Sequence, residues 1–132
     1  MTTTALDNAR AALAKLIAFL SEPATSDRDR AGVIQAFEFT FETTWKLLER
    51  VAEREGLEAE SPKRAVTAAY KLGIVHDENL WLAMLQDRNL TTHVYHSQLA
   101  DRIFTAISTK YAAALADAVR LAGDEIERKH DA

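Results

Sequence analysis

The sequence predicts an all-α protein: an antiparallel up-and-down four-helix bundle with an extra short helix. Three observations carry that prediction. Turn-forming residues are scarce, with four Gly and two Pro in 132 residues. Apolar residues recur at spacings of three and four, the period of one helix face. The periodic stretches are long and the segments between them short, which folds consecutive helices back on one another. The length suits one domain with one core, spanning 1–132.

The first helix is read from Ala5 to Leu20, with its stripe at Leu6, Ala9, Leu13, Leu16, Ile17 and Leu20. Residues 21–27, with Pro23, form a loop. A long second helix runs from about Asp29 to Glu55, its stripe being Ile34, Phe37, Phe41, Thr44–Trp45, Leu48 and Val51, and Gly56 is its C-terminal stop. Phe39 cannot share the face of Phe37 and Phe41, so a second apolar face is expected to meet a partner, which favours a homodimer.

The short third helix opens with Ser61 as N-cap and Pro62 at the first helical position. It carries Val66, Ala69 and Tyr70, and stops near Gly73. Asp77 caps a fourth helix holding Leu80, Trp81, Met84 and Leu85. Beyond it, Thr91, Thr92, Val94 and Tyr95 lower helix propensity, so an end or kink is expected near His93. Ser97 is read as the cap of the last helix, striped by Leu99, Ile103, Ile107, Tyr111, Leu115 and Val119, with a fraying charged tail after Gly123.

Composition narrows function. With 48% hydrophobic residues the chain is not a disordered one. Without Cys there is no disulfide, thiolate nucleophile or cysteine metal site, which fits a reducing cytoplasm. No apolar run reaches the ~18 residues of a membrane span, and the first residues lack the basic-then-apolar order of a signal peptide. A net charge of −4 disfavours a broad nucleic-acid-binding surface but leaves room for a local cationic site.

One stretch concentrates chemistry: Arg88-Asn89-Leu90-Thr91-Thr92-His93-Val94-Tyr95. Arg is a fixed cation, His exchanges a proton near neutral pH and Tyr carries a hydroxyl, so the set can handle a phosphodiester without a metal. On a continuous helix Arg88 and Tyr95 fall nearly in register, while Arg88 and His93 stand about 140° apart. They converge only if the helix kinks or a second protomer supplies one of them. The ordinary readings are a surface Arg paired with a carboxylate, a His at a helix C-terminus and a packed Tyr. Glu38 and Glu42, four apart with Lys46 one turn on, are possible accessory residues; such carboxylates more often form a solvated ladder, and Glu42–Lys46 is a good ion pair. His76 and His96 have no ligand-like neighbours, and no Walker A, GxGxxG or GxSxG motif occurs, so no metal and no cofactor is expected.

The stretches Gln35–Lys46 (QAFEFTFETTWK), Ser61–Arg64 (SPKR) and Trp81–Tyr95 (WLAMLQDRNLTTHVY) resemble, in that order, the nucleotidyltransferase substrate-binding protein family, of the HEPN superfamily and close to the HepT toxins. The resemblance runs from about Asp29 to Leu115. It implies a bundle that dimerises with its Arg–His segments facing each other, and a small nucleotidyltransferase encoded nearby as partner. It also implies one of two activities. In the first, the chain is a toxin-like, metal-independent ribonuclease in which Arg88 stabilises phosphate charge, His93 is acid or base, Asn89 orients one of them, and adenylation of Tyr95 silences the site. In the second, it is a non-catalytic subunit that binds a substrate or nucleotide for the nucleotidyltransferase. A helical dimer without chemistry is the third possibility. His96-Ser97-Gln98 departs from the acidic residues expected to open the next helix.

Overall fold

A computed structural model of the chain describes residues 4–93 and 96–131, with side chains to residue 128. It is a bundle of α-helices: α1 (Thr4–Leu20), α2 (Asp27–Arg54), α3 (Pro62–Lys71), α4 (Glu78–Leu90), α5 (Ser97–Ala106) and α6 (Ala112–Asp131). A 3-10 turn, Thr91–His93, closes α4, and a π-helical turn, Ile107–Tyr111, joins α5 to α6 in one long run. α2 is the hub, packing against α1, α3, α4, α5 and α6.

The helix ends follow their capping chemistry. The side chains of Ser26, Ser61 and Asp77 accept the backbone N–H groups of Asp29, Arg64 and Leu80, satisfying donors that a helix start leaves free. α2 and α3 stop at Gly56 and Gly73, whose φ values of 77° and 78° lie in the left-handed region. There Leu57 N–H donates back to Ala52 and Ile74 N–H to Ala69, the Schellman pattern.

The core is built from the expected stripes. Leu6, Leu16, Phe37, Phe41, Leu48, Val51, Met84, Ile103, Ile107, Leu115 and Val119 are buried. Phe37 packs against both Phe41 and the Tyr111 ring, and Phe41 lies 6.2 Å from the Trp81 ring. Phe39 points outward, 60% exposed, as its position on α2 requires.

Five details differ from expectation. Tyr70 is half-exposed rather than core, because Ala65, Val66, Ala68 and Ala69 already fill the inward arc of α3. Ile17 is also half-exposed, next to the fully buried Leu16 that takes the inward position. α2 begins at Asp27, one residue after its Ser26 cap. His96, not Ser97, occupies the N-cap of α5 and gives no side-chain cap bond. The tail does not fray after Gly123: α6 continues to Asp131, with Ile126 buried and Glu127 paired with Arg10 at 2.7 Å. A charged stretch stays helical when one of its faces still has a core to meet.

No helix among the described residues is long and apolar enough to cross a membrane.

Candidate functional site

The last turn of α4 carries two opposite charges that face different ways. Asp87 and Arg88 are about 100° apart on the helix, so one turns into the bundle and the other toward α2. Arg88 lies seven residues beyond Trp81 and shares its face. Trp81 packs on Phe41, and Arg88 accordingly reaches the next residue of α2, Glu42.

Glu42 is the meeting point. Its Oε2 accepts Arg88 Nη2 at 3.0 Å and the Trp45 indole N–H at 3.1 Å, while Lys46 Nζ sits 3.5 Å from Oε1. Of the accessory residues, the fold thus joins Glu42 and Lys46 to Arg88. Glu38 is half-buried one turn earlier and, among the described residues, joins no ion pair. Arg88 and Glu42 are each about one-third exposed, so solvent screening leaves their pair only ~0.5 kcal/mol. Arg88 Nε is buried and finds no acceptor among the described residues.

The helix tightens after Leu90, two residues beyond Arg88. The Thr91 hydroxyl and the Thr91 N–H both donate to the Arg88 carbonyl, the hydroxyl at 2.7 Å, tightening the last turn into a 3-10 turn. His93 ends that turn and is exposed, as is Asn89. The helix end expected near His93 is thus a 3-10 turn that finishes at His93. Tyr95 lies outside the described residues.

Behind this segment is a polar cluster that sequence reasoning missed. Asp87 is 5% exposed. Its carboxylate accepts Arg102 Nη2 at 2.9 Å, Arg102 Nη1 at 3.2 Å and the Tyr111 hydroxyl at 2.6 Å. The hydrogen bond to Asp87 raises the pKa of Arg102. Burial, then the bond to Asp87, pushes the Tyr111 phenol well above its ordinary range. A signal was present: Asp87 stands in register with Leu80, Met84 and Thr91, and a carboxylate on a core stripe requires buried donors.

Among the described residues no three His, Asp or Glu side chains come together as metal ligands. What the α4 end offers instead is a half-buried guanidinium held by a carboxylate, then a 3-10 turn that ends on an exposed imidazole.

Comparison with known proteins gives this segment a context. A curated relative from Haemophilus influenzae, named "Probable ribonuclease HepT", is 28% identical over 82 residues, which are 58% of this chain and 56% of that protein. The chain thus spans just over half the length of that relative. A solved structure from Thermus thermophilus is 37% identical, covers 91% of this chain and 97% of its own, and superposes with a TM-score of 0.71. A second, from Haemophilus influenzae, is described as revealing the fold of a substrate binding domain of a nucleotidyltransferase. It shares the fold at a TM-score of 0.77 and 23% identity, covering 89% of this chain and 98% of its own. The family model for nucleotidyltransferase substrate binding protein like proteins matches residues 2–120, and the chain belongs to that family.

Proposed function

We propose that this chain is the helical partner of a small nucleotidyltransferase and acts, as a homodimer, as a toxin-like, metal-independent ribonuclease that adenylation of Tyr95 silences. The observation that carries the reading is the end of α4, where the Arg88 guanidinium, set toward α2 by Glu42, is followed five residues later by the exposed His93. A 3-10 turn winds about 120° per residue, which carries His93 further round from Arg88 and not back toward it, so in this reading the two groups meet across the two-fold axis of the dimer. The name of the relative from Haemophilus influenzae supports the reaction class.

In this reading His93 takes the proton of a ribose 2′-hydroxyl as that oxygen attacks the adjacent phosphorus. The P–O5′ bond breaks, the 5′-oxygen takes a proton from water, and a 2′,3′-cyclic phosphate remains. Arg88 stabilises the extra negative charge on the phosphoryl oxygens, and Asn89 orients one of the two groups. Glu42, with Lys46 beside it, holds the Arg88 guanidinium in one direction. Glu38, one turn before Glu42, is an outlying accessory. Transfer of AMP from ATP to the Tyr95 oxygen, with loss of pyrophosphate, sets a negative phosphate where RNA phosphate must enter.

A second reading has its own observation. Glu42 offsets the Arg88 charge, and the chain as a whole carries −4, both of which suit a subunit that presents a substrate to the nucleotidyltransferase without cutting RNA.

One experiment separates them. The chain is expressed alone and with the nucleotidyltransferase encoded nearby, and intact mass and peptide mapping are read at Tyr95. RNA cleavage is then measured for wild type and His93→Ala. The ribonuclease reading expects AMP on Tyr95 only with the partner, cleavage by the unmodified chain, and none by His93→Ala. Equal cleavage by both proteins, or none by the unmodified wild type, overturns it. A stable complex without cleavage or modification selects the binding subunit.

A further inference from the structure

α3 is chemically unlike the rest of the bundle. Its sequence, Pro62-Lys63-Arg64-Ala65-Val66-Thr67-Ala68-Ala69-Tyr70-Lys71, holds three cations and no acid, whereas every other α-helix carries at least one Asp or Glu. That is unexpected in a chain with 20 acidic and 16 basic residues. The burial pattern sorts the helix cleanly. Ala65, Val66, Ala68 and Ala69 are buried, while Lys63, Arg64, Tyr70 and Lys71 are exposed and Thr67 is half-exposed. At about 100° per residue, Tyr70, Lys63, Thr67, Lys71 and Arg64 occupy one arc of roughly 120°.

The arc is also concave. Lys63, Arg64, Thr67 and Lys71 line a cleft against Leu57 and Glu58 from the segment that precedes the helix. Arg64 is drawn to Glu58 and Glu60, at 3.4 and 3.3 Å. Lys63 and Lys71 enter no ion pair among the described residues. They stand eight residues, about 12 Å, apart along the axis, which spans about three phosphates of a stacked strand at ~3.4 Å each. Tyr70, 48% exposed, flanks the cleft at the edge of the arc, next to Lys71 along the axis.

We infer that this face of α3 is a docking surface for single-stranded RNA, with Lys63 and Lys71 on the phosphates and Tyr70 stacked on a base. The inference rests on the ribonuclease reading above and supplies a substrate contact away from Arg88 and His93. A cationic groove with an aromatic platform binds single strands with little sequence preference. It also explains how an acidic chain holds RNA: attraction is concentrated on one short helix.

The test uses a fluorescein-labelled, 2′-O-methyl RNA 12-mer, which has no 2′-hydroxyl to attack and stays intact with wild-type protein. Anisotropy gives affinity across a salt series. Lys63→Glu/Lys71→Glu is expected to lower affinity at least tenfold, and Lys63→Gln/Lys71→Gln to lower it less. Each lost phosphate contact flattens the log–log salt slope by ~0.7, so about 1.4 in all. Tyr70→Ala is expected to cost five- to hundredfold, the range for one stacked base. Circular dichroism checks that each variant is folded; the substituted side chains are exposed. Unchanged affinity and slope in the variants, with wild-type RNA cleavage intact, overturns the RNA face and leaves the ribonuclease reading standing. Loss of nucleotidyltransferase binding with RNA affinity unchanged makes α3 a protein-docking surface and overturns the proposal. Wild-type protein that neither binds nor cleaves RNA overturns both.

Discussion

Asp87 and Arg88 show how neighbouring residues divide structure from the proposed chemistry. Asp87 is committed inward, and its carboxylate satisfies two guanidinium nitrogens and a buried phenol. Removing it strands the Tyr111 hydroxyl, while Arg102, about half-exposed, can return to water. Asp87→Ala is therefore expected to cost about 2–3 kcal/mol in urea unfolding and Tyr111→Phe about 1 kcal/mol. Glu42→Gln, which breaks the more exposed pair with Arg88, is expected to cost under about 1 kcal/mol. Tyr111 also has a pH signature. Its folded pKa is raised, so its contribution is complete below the ordinary tyrosine pKa of about 10 and is lost as pH climbs from there toward the folded value. Phenolate absorbance should show one tyrosine that ionises only as the fold is lost; Tyr111→Phe should remove that step. A step that persists in Tyr111→Phe refutes the assignment.

Elements were legible wherever one local rule decided them. Ser61-Pro62, Asp77, Gly56 and Gly73 each act through their own backbone, so caps and stops are readable one residue at a time. The interruption near His93 was readable too, because β-branched residues crowd there. Less legible was the π turn. Leu99, Ile103, Ile107, Tyr111, Leu115 and Val119 recur at strict intervals of four. On an α-helix that row drifts about 40° per step. The wider Ile107–Tyr111 turn absorbs drift, and from Ile103 onward all five residues stay buried. The spacing was visible in the sequence, but its meaning depends on a core facing every step. Likewise the Asp87 cluster joins α4 to residues 15 and 24 positions away, a pairing no local rule supplies. The site segment was legible as a motif; Glu42 as the Arg88 partner needed the crossing of α2 and α4. Two glycines inside helices make the same contrast testable. A Cβ on Gly32 meets only Phe19, at 3.7 Å, so Gly32→Ala should stabilise by about 0.5–1 kcal/mol. A Cβ on Gly123 would stand 2.9 Å from Arg10 and 3.2 Å from the fully buried Leu6, so Gly123→Ala should destabilise. Equal shifts in urea midpoint for the two would show that propensity, not packing, governs both.

At the scale of the molecule, the outer face of α1 and α2 bears on the proposed homodimer. Phe39 is 60% exposed and Phe19 41%. They flank a shallow groove floored by Ala11, Ala12 and Ala36. A protruding ring beside a small-residue groove on one surface is self-complementary under two-fold symmetry, because each copy offers both parts. Every contact then occurs twice. If burying Phe39 is worth about 1.5–3 kcal/mol per copy, placing a charge there costs the dimer at least 3 kcal/mol, more than a hundredfold in Kd. Phe39→Glu is thus expected to sediment as a monomer at concentrations where wild type is a dimer, with unchanged helicity, since the side chain leaves no core position. The proposed chemistry adds a second readout. If facing Arg88–His93 segments make the cleft, RNA cleavage by Phe39→Glu should fall with the dimer and recover at concentrations that restore it. Dimeric sedimentation of the variant, indistinguishable from wild type, would move the interface off this face. Monomers that still cleave at the wild-type rate would show that one chain holds the whole site.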